Sequence, residues 1–363
     1  MRGIGSKLEH FIAGCGNVLT QLKLEHLRSK CVNLIFLRFV AFCDMLHNME
    51  VLDLAVASIG FLSPKEKRKL RGSLNSLADL EHLTGGQLAG IVGRRPRAFW
   101  DGMMCSSEAQ KSYSVMCSKG IRSTLFFEED YPAMLLSIKD YPYALFYLGN
   151  LDALKKRCVS VVGTRKPCQL TAQATLDFTR KAASAGWCVV SGLAYGIDSF
   201  AHRGALSSGV PSSTVAVLPC GADTVVPHSN RALAANIVKN GGCLLSEYVP
   251  GCEAENWRFV HRNRLVAALS SCTLVSHAPV GSGSLITADF AVDYGRDVAF
   301  LAAGLSDEAK STEGNKTKSY RNSDKFLAEG APVVEGWQDF LALQKEPPGQ
   351  RIGMTLFNGG DNG

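Results

Sequence analysis

The sequence has 12 cysteines, yet no two are spaced C-x-x-C, and no group of Cys, His, Asp and Glu has the spacing of metal ligands. That absence removes zinc-ribbon and thioredoxin-type readings. Cys158, Cys188, Cys243 and Cys272 instead lie inside apolar runs, where a thiol serves as a small apolar side chain. The set reads as reduced thiols of a cytoplasmic protein. Also lacking is any stretch of about 18 apolar residues, the length a membrane span requires. The nearest, residues 32–45, is broken by Arg38 and follows a charged segment, so neither a span nor a signal peptide is expected. There is no G-x-G-x-x-G fingerprint, no Walker A loop and no Ser-His-Asp set with a nucleophile elbow. Paired carboxylates are missing too: Asp198, Asp223 and Glu247 stand alone among basic loops. Dinucleotide, P-loop and serine-hydrolase chemistry lose their support, and no metal, cofactor or catalytic residue is nominated.

What is present is an ordinary globular composition, 46% hydrophobic and 20% charged over 363 residues, enough for two or three domains. A net charge of +6 permits a nucleic-acid partner without requiring one. Between Cys158 and Leu301 short apolar runs alternate with glycine-rich turns and helix-length segments. The runs begin at Cys158, Trp187, Thr214, Cys243, Cys272 and Asp297. Strands buried on both faces read this way, and parallel strands need helical crossovers. The pattern predicts a doubly wound, mostly parallel α/β sheet of the Rossmann type, with ligands at the carboxyl ends of the strands.

The polar loops all fall at those ends. Gly163, Arg165 and Lys166 follow the first run, where a glycine turn before a helix suits an anion and Arg165 adds a forked donor. Ser191 and Gly192 open a second turn, with Asp198 as a cap for the next helix and His202 one turn on, structural or ligand-facing. Arg258, Phe259, Arg262, Asn263 and Arg264 concentrate arginine beside an aromatic, a combination suited to phosphodiester contact and base stacking. The other reading is a salt-bridged loop with Arg264 paired to an acid. Ser282, Gly283 and Ser284 offer a last close approach at a helix start.

The flanks carry less chemistry. Residues 1–48 follow no clean period, and either Met45 or Met49 is the true start or the segment is an extra helix. A small helical domain of helix-hairpin-helix type is expected over 49–105, opened by the capping box Ser63-Pro64-Lys65-Glu66, with Arg94 to Arg97 as a solvated basic turn. Residues 120–150, interrupted by Pro132 and Pro142, should add an edge strand. The core is placed at 120–343. Residues from Ser306 to about Lys325 read as a flexible loop, a last strand and helix should follow, and 344–363 reads as a disordered tail.

Taken together, these motifs resemble the DNA processing protein A family (DprA, also called Smf). The resemblance rests on Val159 to Arg165, Ser191 to Asp198, Thr214 to Leu218, Leu245 to Glu247, Phe259 to Arg264, Ser282 to Ala288 and Gly295-Arg296. It covers about Tyr131 to Ala302. It implies an extended Rossmann-like fold that binds single-stranded DNA without catalysis, forms homodimers and loads a RecA recombinase during natural transformation. The positive pocket of the family would fall on Arg165, Lys166, Arg262 and Arg264. Val226-Pro227 and Ala303-Gly304 stand where members commonly have Tyr-Pro and Pro-Gly, and the residues after Leu343 are too few for the winged helix many members carry. The rival readings are a nucleotide-hydrolysing protein of the lysine-decarboxylase-like type, with Glu247 as its acid, and a scaffold that has kept the fold but lost DNA binding.

Overall fold

A computed structural model describes residues 50–311 and 322–344. The expectations for 1–48, for residues 312–321 and for the tail beyond 344 lie outside them. The described residues fall into two compact units, one with residues 50–62 and 66–119, the other with 63–65 and everything from Gly120 onward.

The first unit is helical: α1 (50–58), α2 (Pro64–Gly72), α3 (Leu77–Glu81), α4 (Gly85–Val92) and α5 (Gly102–Lys119). Local chemistry keeps α3 and α4 short. Ser76 with Asp79, and Thr84 with Gln87, form reciprocal capping boxes at their starts, and Gly93 ends α4 at φ 83°. Leu70, Leu77, Leu80, Leu88 and Val92 are buried. Arg94 of the basic turn is used internally, its Nε 2.5 Å and Nη2 2.9 Å from the Glu66 carboxylate.

The second unit is a sheet with helices on both faces. Its elements are β1 (Arg122–Leu125), α6 (Ala133–Leu136), β2 (Ala144–Gly149), β3 (Cys158–Gly163), α7 (Gln169–Ser184), β4 (Cys188–Ser191), α8 (Ile197–Ser207) and β5 (Thr214–Val217). They continue through α9 (Arg231–Lys239), β6 (Cys243–Ser246), α10 (Asn256–Ala268), β7 (Cys272–His277), α11 (Gly283–Asp293) and β8 (Asp297–Leu301), then α12 (Asp307–Ser311), α13 (Ser323–Ala328), β9 (Val333–Val334) and α14 (Trp337–Leu343). The strand order is β1-β2-β6-β5-β4-β3-β7-β8-β9, parallel from β6 to β9. All six apolar runs are strands, and the doubly wound, mostly parallel sheet stands. The 120–150 connector differs from a single edge strand: β1 and β2 pair antiparallel with each other, and β2 pairs antiparallel with β6. Helix also occupies both ends of the expected loop after Ser306, as α12 and α13.

Burial on both faces explains the apolar runs. Along β3, Val159 and Val161 point into a core with Phe178, Ala182 and Trp187, while Cys158 and Val162 point into the opposite core with Leu265, Val266 and Leu285. Edge-to-face contacts among Phe178, Trp187, Trp337 and Phe340 hold α14 against the first of these. From β3 the chain winds outward through β4, β5 and β6, then returns to place β7 on the other side of β3. The winding reverses there, and a crevice opens between the carboxyl ends of β3 and β7.

Candidate functional site

A cavity of about 510 Å³ fills that crevice. Its walls are the turn after β3, from Gly163 to Lys166, the start of α8 at Asp198, the face of α10 carrying Phe259, Arg262 and Asn263, and the turn from Pro279 into α11. The register of β3 against β7 shifts between Val162 and Gly163, which frees the chain to turn outward. Gly163 is required at that point, because a Cβ there would lie 2.6 Å from the Ile197 side chain and 2.8 Å from the His277 carbonyl oxygen. The Thr164 N–H then donates to His277 O, and Ile197 N–H to Thr164 O, which pins the turn between β7 and α8.

Arg165 and Lys166 project from this turn, exposed, and neither has an acid partner among the described residues. The Arg165 guanidinium stands 5.8 Å from the centre of the half-buried Phe259 ring. Behind them lies Arg262, 5% exposed, with no hydrogen-bond partner for its Nε among the described residues. Its guanidinium occupies the place of a missing side chain: a Cβ on Gly192 would sit 1.4 Å from Nη1. Burial pushes the Arg262 guanidinium down from its ordinary value, the Asp198 carboxylate opposes that, and the neighbouring charge of Arg165 adds to it. Asp198 is held above its ordinary range by burial, against the pull of Arg262 and of the Ala194 and Gly192 N–H groups. Asp198 was expected to cap the following helix. Instead it accepts from the Gly192 and Ala194 amides at 3.2 and 3.3 Å, ordering the turn that precedes α8. Across the cavity, Ser282 caps α11 by accepting from Ser284 N–H, and Asn263 Nδ2 donates to Gly283 O at 3.4 Å.

Of the residues singled out in the sequence, Gly163, Arg165, Lys166, Phe259, Arg262, Asn263, Ser282, Gly283 and Ser284 line one cavity. Gly192 serves it from behind. Three others lie apart. Ser191 is buried and donates to Val161 O. His202 is fully buried, its ring 2.7 Å from the Thr214 hydroxyl; that hydroxyl donates to Val189 O, so the proton is assigned to Nδ1. Arg264 is 2% exposed, with Nη2 2.5 Å from Glu247 and Nη1 donating to Asp140 O, which is the salt-bridged alternative. Two features escaped the sequence reading. Thr287 lines the cavity from the second turn of α11, and the Trp257 indole is half exposed beside Tyr248 with Arg258 over both rings. The aromatic beside a run of arginines was the available signal for the second. Among the described residues no group of three or more His, Cys, Asp or Glu is placed to hold a metal ion, and no helix is long and apolar enough to cross a membrane.

The model of a family described as DNA recombination-mediator protein A matches residues 122–344. The chain is 34% identical over 271 residues to the DNA processing protein DprA of Streptococcus pneumoniae, covering 72% of this chain and 87% of that one. It is 36% identical over 170 residues to protein Smf of Borreliella burgdorferi, a match that spans 54% of Smf, about half its length, and 47% of this chain. In structure it is similar to S. pneumoniae DprA, with a TM-score of 0.61 at 31% identity over 81% of this chain and 97% of that one. It is also similar to Helicobacter pylori DNA processing protein A, solved for its single-stranded DNA binding mode, with a TM-score of 0.51 at 26% identity over 62% and 95%.

Proposed function

The chain belongs to the DNA recombination-mediator protein A family, and from that premise we propose that its crevice binds single-stranded DNA by the phosphates and catalyses no reaction on it. The observation that carries this reading is a pair of exposed cations with no acid partner among the described residues. Arg165 and Lys166 face solvent unpaired at the mouth, with Arg262 buried behind them. A phosphate at the mouth meets the fork of Arg165, and one drawn deeper meets Arg262 and the amino end of α11. The Phe259 ring offers a face to a base. In a duplex that face of the base is covered by its neighbour, so the ring favours a single strand. Contacts of this kind go to backbone and ring faces, so sequence preference should be slight.

The hydrolase reading needs an available carboxylate. Glu247 is engaged by Arg264 and is not among the residues lining the cavity. Asp198, the acid that does line it, is buried and accepts two backbone N–H groups. That arrangement supports binding without catalysis.

The finer steps rest on the family: a cytoplasmic homodimer that protects incoming strands and passes them to a RecA recombinase in natural transformation. Sedimentation of the purified chain and RecA filament formation on strands bound by this protein test those steps. The crevice itself is tested by fluorescence anisotropy of labelled oligo-dT with wild type and an Arg165→Ala/Arg262→Ala variant. Tight binding by the wild type, lost in the variant, supports the reading. Equal binding by both would overturn it.

A further inference from the structure

A second cavity, of about 760 Å³, opens on the far side of the Arg165–Lys166 turn, so the two cations form a ridge shared by both. One wall is the first two turns of α7, through Gln169, Ala172, Gln173 and Leu176, and the other is the start of α8 with Tyr195 and Phe200. The ridge is seated on Gly196: with φ at 71°, its Cβ would lie 2.3 Å from the Thr164 carbonyl oxygen. The Tyr195 ring is 51% exposed, a large apolar surface left in water. Among the described residues no acid lines this groove, its sides are apolar, and two carboxamides offer donors and acceptors. An occupant that suits all three features carries negative charge along one edge and flat, weakly polar faces along the other.

We propose that this groove is a second nucleobase site, entered by the same strand as it crosses the ridge. The proposal rests on the reading of the crevice as a single-strand site. A strand gripped by a phosphate on Arg165 and Lys166 has a nucleotide on each side of that phosphate. One reaches the crevice and Phe259. The other lies over the groove, where its base meets Tyr195 and Phe200, and Gln169 and Gln173 border its edge.

The test compares thymidine monophosphate, whose single base can enter only one cavity at a time, with oligo-dT of about twelve nucleotides, within the usual range of single-strand sites. Tyr195→Ala removes the ring, and Gln173→Glu places a negative charge in the groove. Gln173 is exposed on α7, and Tyr195 is exposed in the turn that precedes α8. Each variant should bind the oligonucleotide about tenfold more weakly, the loss of roughly one stacked base, and the mononucleotide as wild type does. Arg165→Ala should weaken binding of both ligands. If Tyr195→Ala and Gln173→Glu bind the oligonucleotide as wild type does, the groove holds no base, and a peptide is the next occupant to test. Equal weakening for both ligands would also overturn the proposal. Absence of salt-sensitive binding by the wild type to either ligand brings down the crevice reading itself, a result distinct from the other two.

Discussion

A buried guanidinium is expensive unless its charge and donors are met, and Arg262 is met incompletely: Asp198 attracts it, while Nε has no hydrogen-bond partner among the described residues. Residues held in that condition are retained for what they bind. Arg262→Met leaves Asp198 buried without its countercharge, so it should lower the thermal midpoint while also costing about 2 kcal/mol of oligo-dT binding, the scale of a hydrogen bond to a charged group. Calorimetry and anisotropy on the same preparation check both halves. Gly192→Ala should imitate the binding loss without removing the arginine, because its Cβ falls on Nη1. Binding retained in Gly192→Ala would mean that the guanidinium has another place to go. His202 makes a separate prediction. Burial lowers its pKa to about 3, from an ordinary 6.5, so the fold favours the neutral ring. That contribution is complete above pH 6.5 and shrinks as pH falls toward 3, a loss of about 2 kcal/mol by pH 5. His202→Asn, which keeps a donor for Thr214, should not show this loss, as denaturant titrations at pH 7 and 5 would reveal.

Among the elements, six strands were legible because burial on both faces leaves mostly apolar residues, with small polar ones such as Ser160 and Thr273 between them, and polar turns at the carboxyl ends. The antiparallel pair β1–β2 was harder to see. Arg122 and Ser123 are exposed on an edge, and the prolines that exclude a long helix still admit the four-residue α6 after Pro132. Helix α5 was missed from Ser106 onward because Ser106 and Ala109 are buried where an apolar stripe would be expected. The sharpest limit concerns α10. Arg262 and Arg264 are two residues apart and chemically identical in sequence, yet the first lines the cavity and the second is locked to β6 and the connector. What separates them is Glu247 and Asp140, both remote in sequence, and Tyr294 donating to the same Asp140. Glu247→Gln tests the division of labour. It leaves the Arg264 charge buried with Asp140 at 3.7 Å as its remaining acid, and should cost about 3 kcal/mol of stability. DNA binding measured well below the lowered midpoint should survive. A stable Glu247→Gln protein that had lost binding would place Glu247 in the site instead.

At the scale of the whole molecule the question is whether binding belongs to the crevice or to an overall positive charge. The chain carries a net +6 from 39 basic and 33 acidic residues, and a basic surface alone draws nucleic acid weakly. The two cases differ in their salt dependence. Each phosphate neutralised on a single strand contributes about −0.7 to the slope of log K against log salt. Arg165, Lys166 and Arg262 together predict a slope near −2, and the Arg165→Ala/Arg262→Ala variant, with one of the three left, should fall to about −0.7. Diffuse attraction gives another pattern: removing two of 39 cations would shift the slope little, and affinity would fall only in proportion. The decisive quantity is thus the change in slope between the two proteins, measured by anisotropy across the same salt series. A change near 1.4 units assigns the phosphates to the ridge and the buried arginine, whereas parallel lines would move the interface elsewhere on the surface.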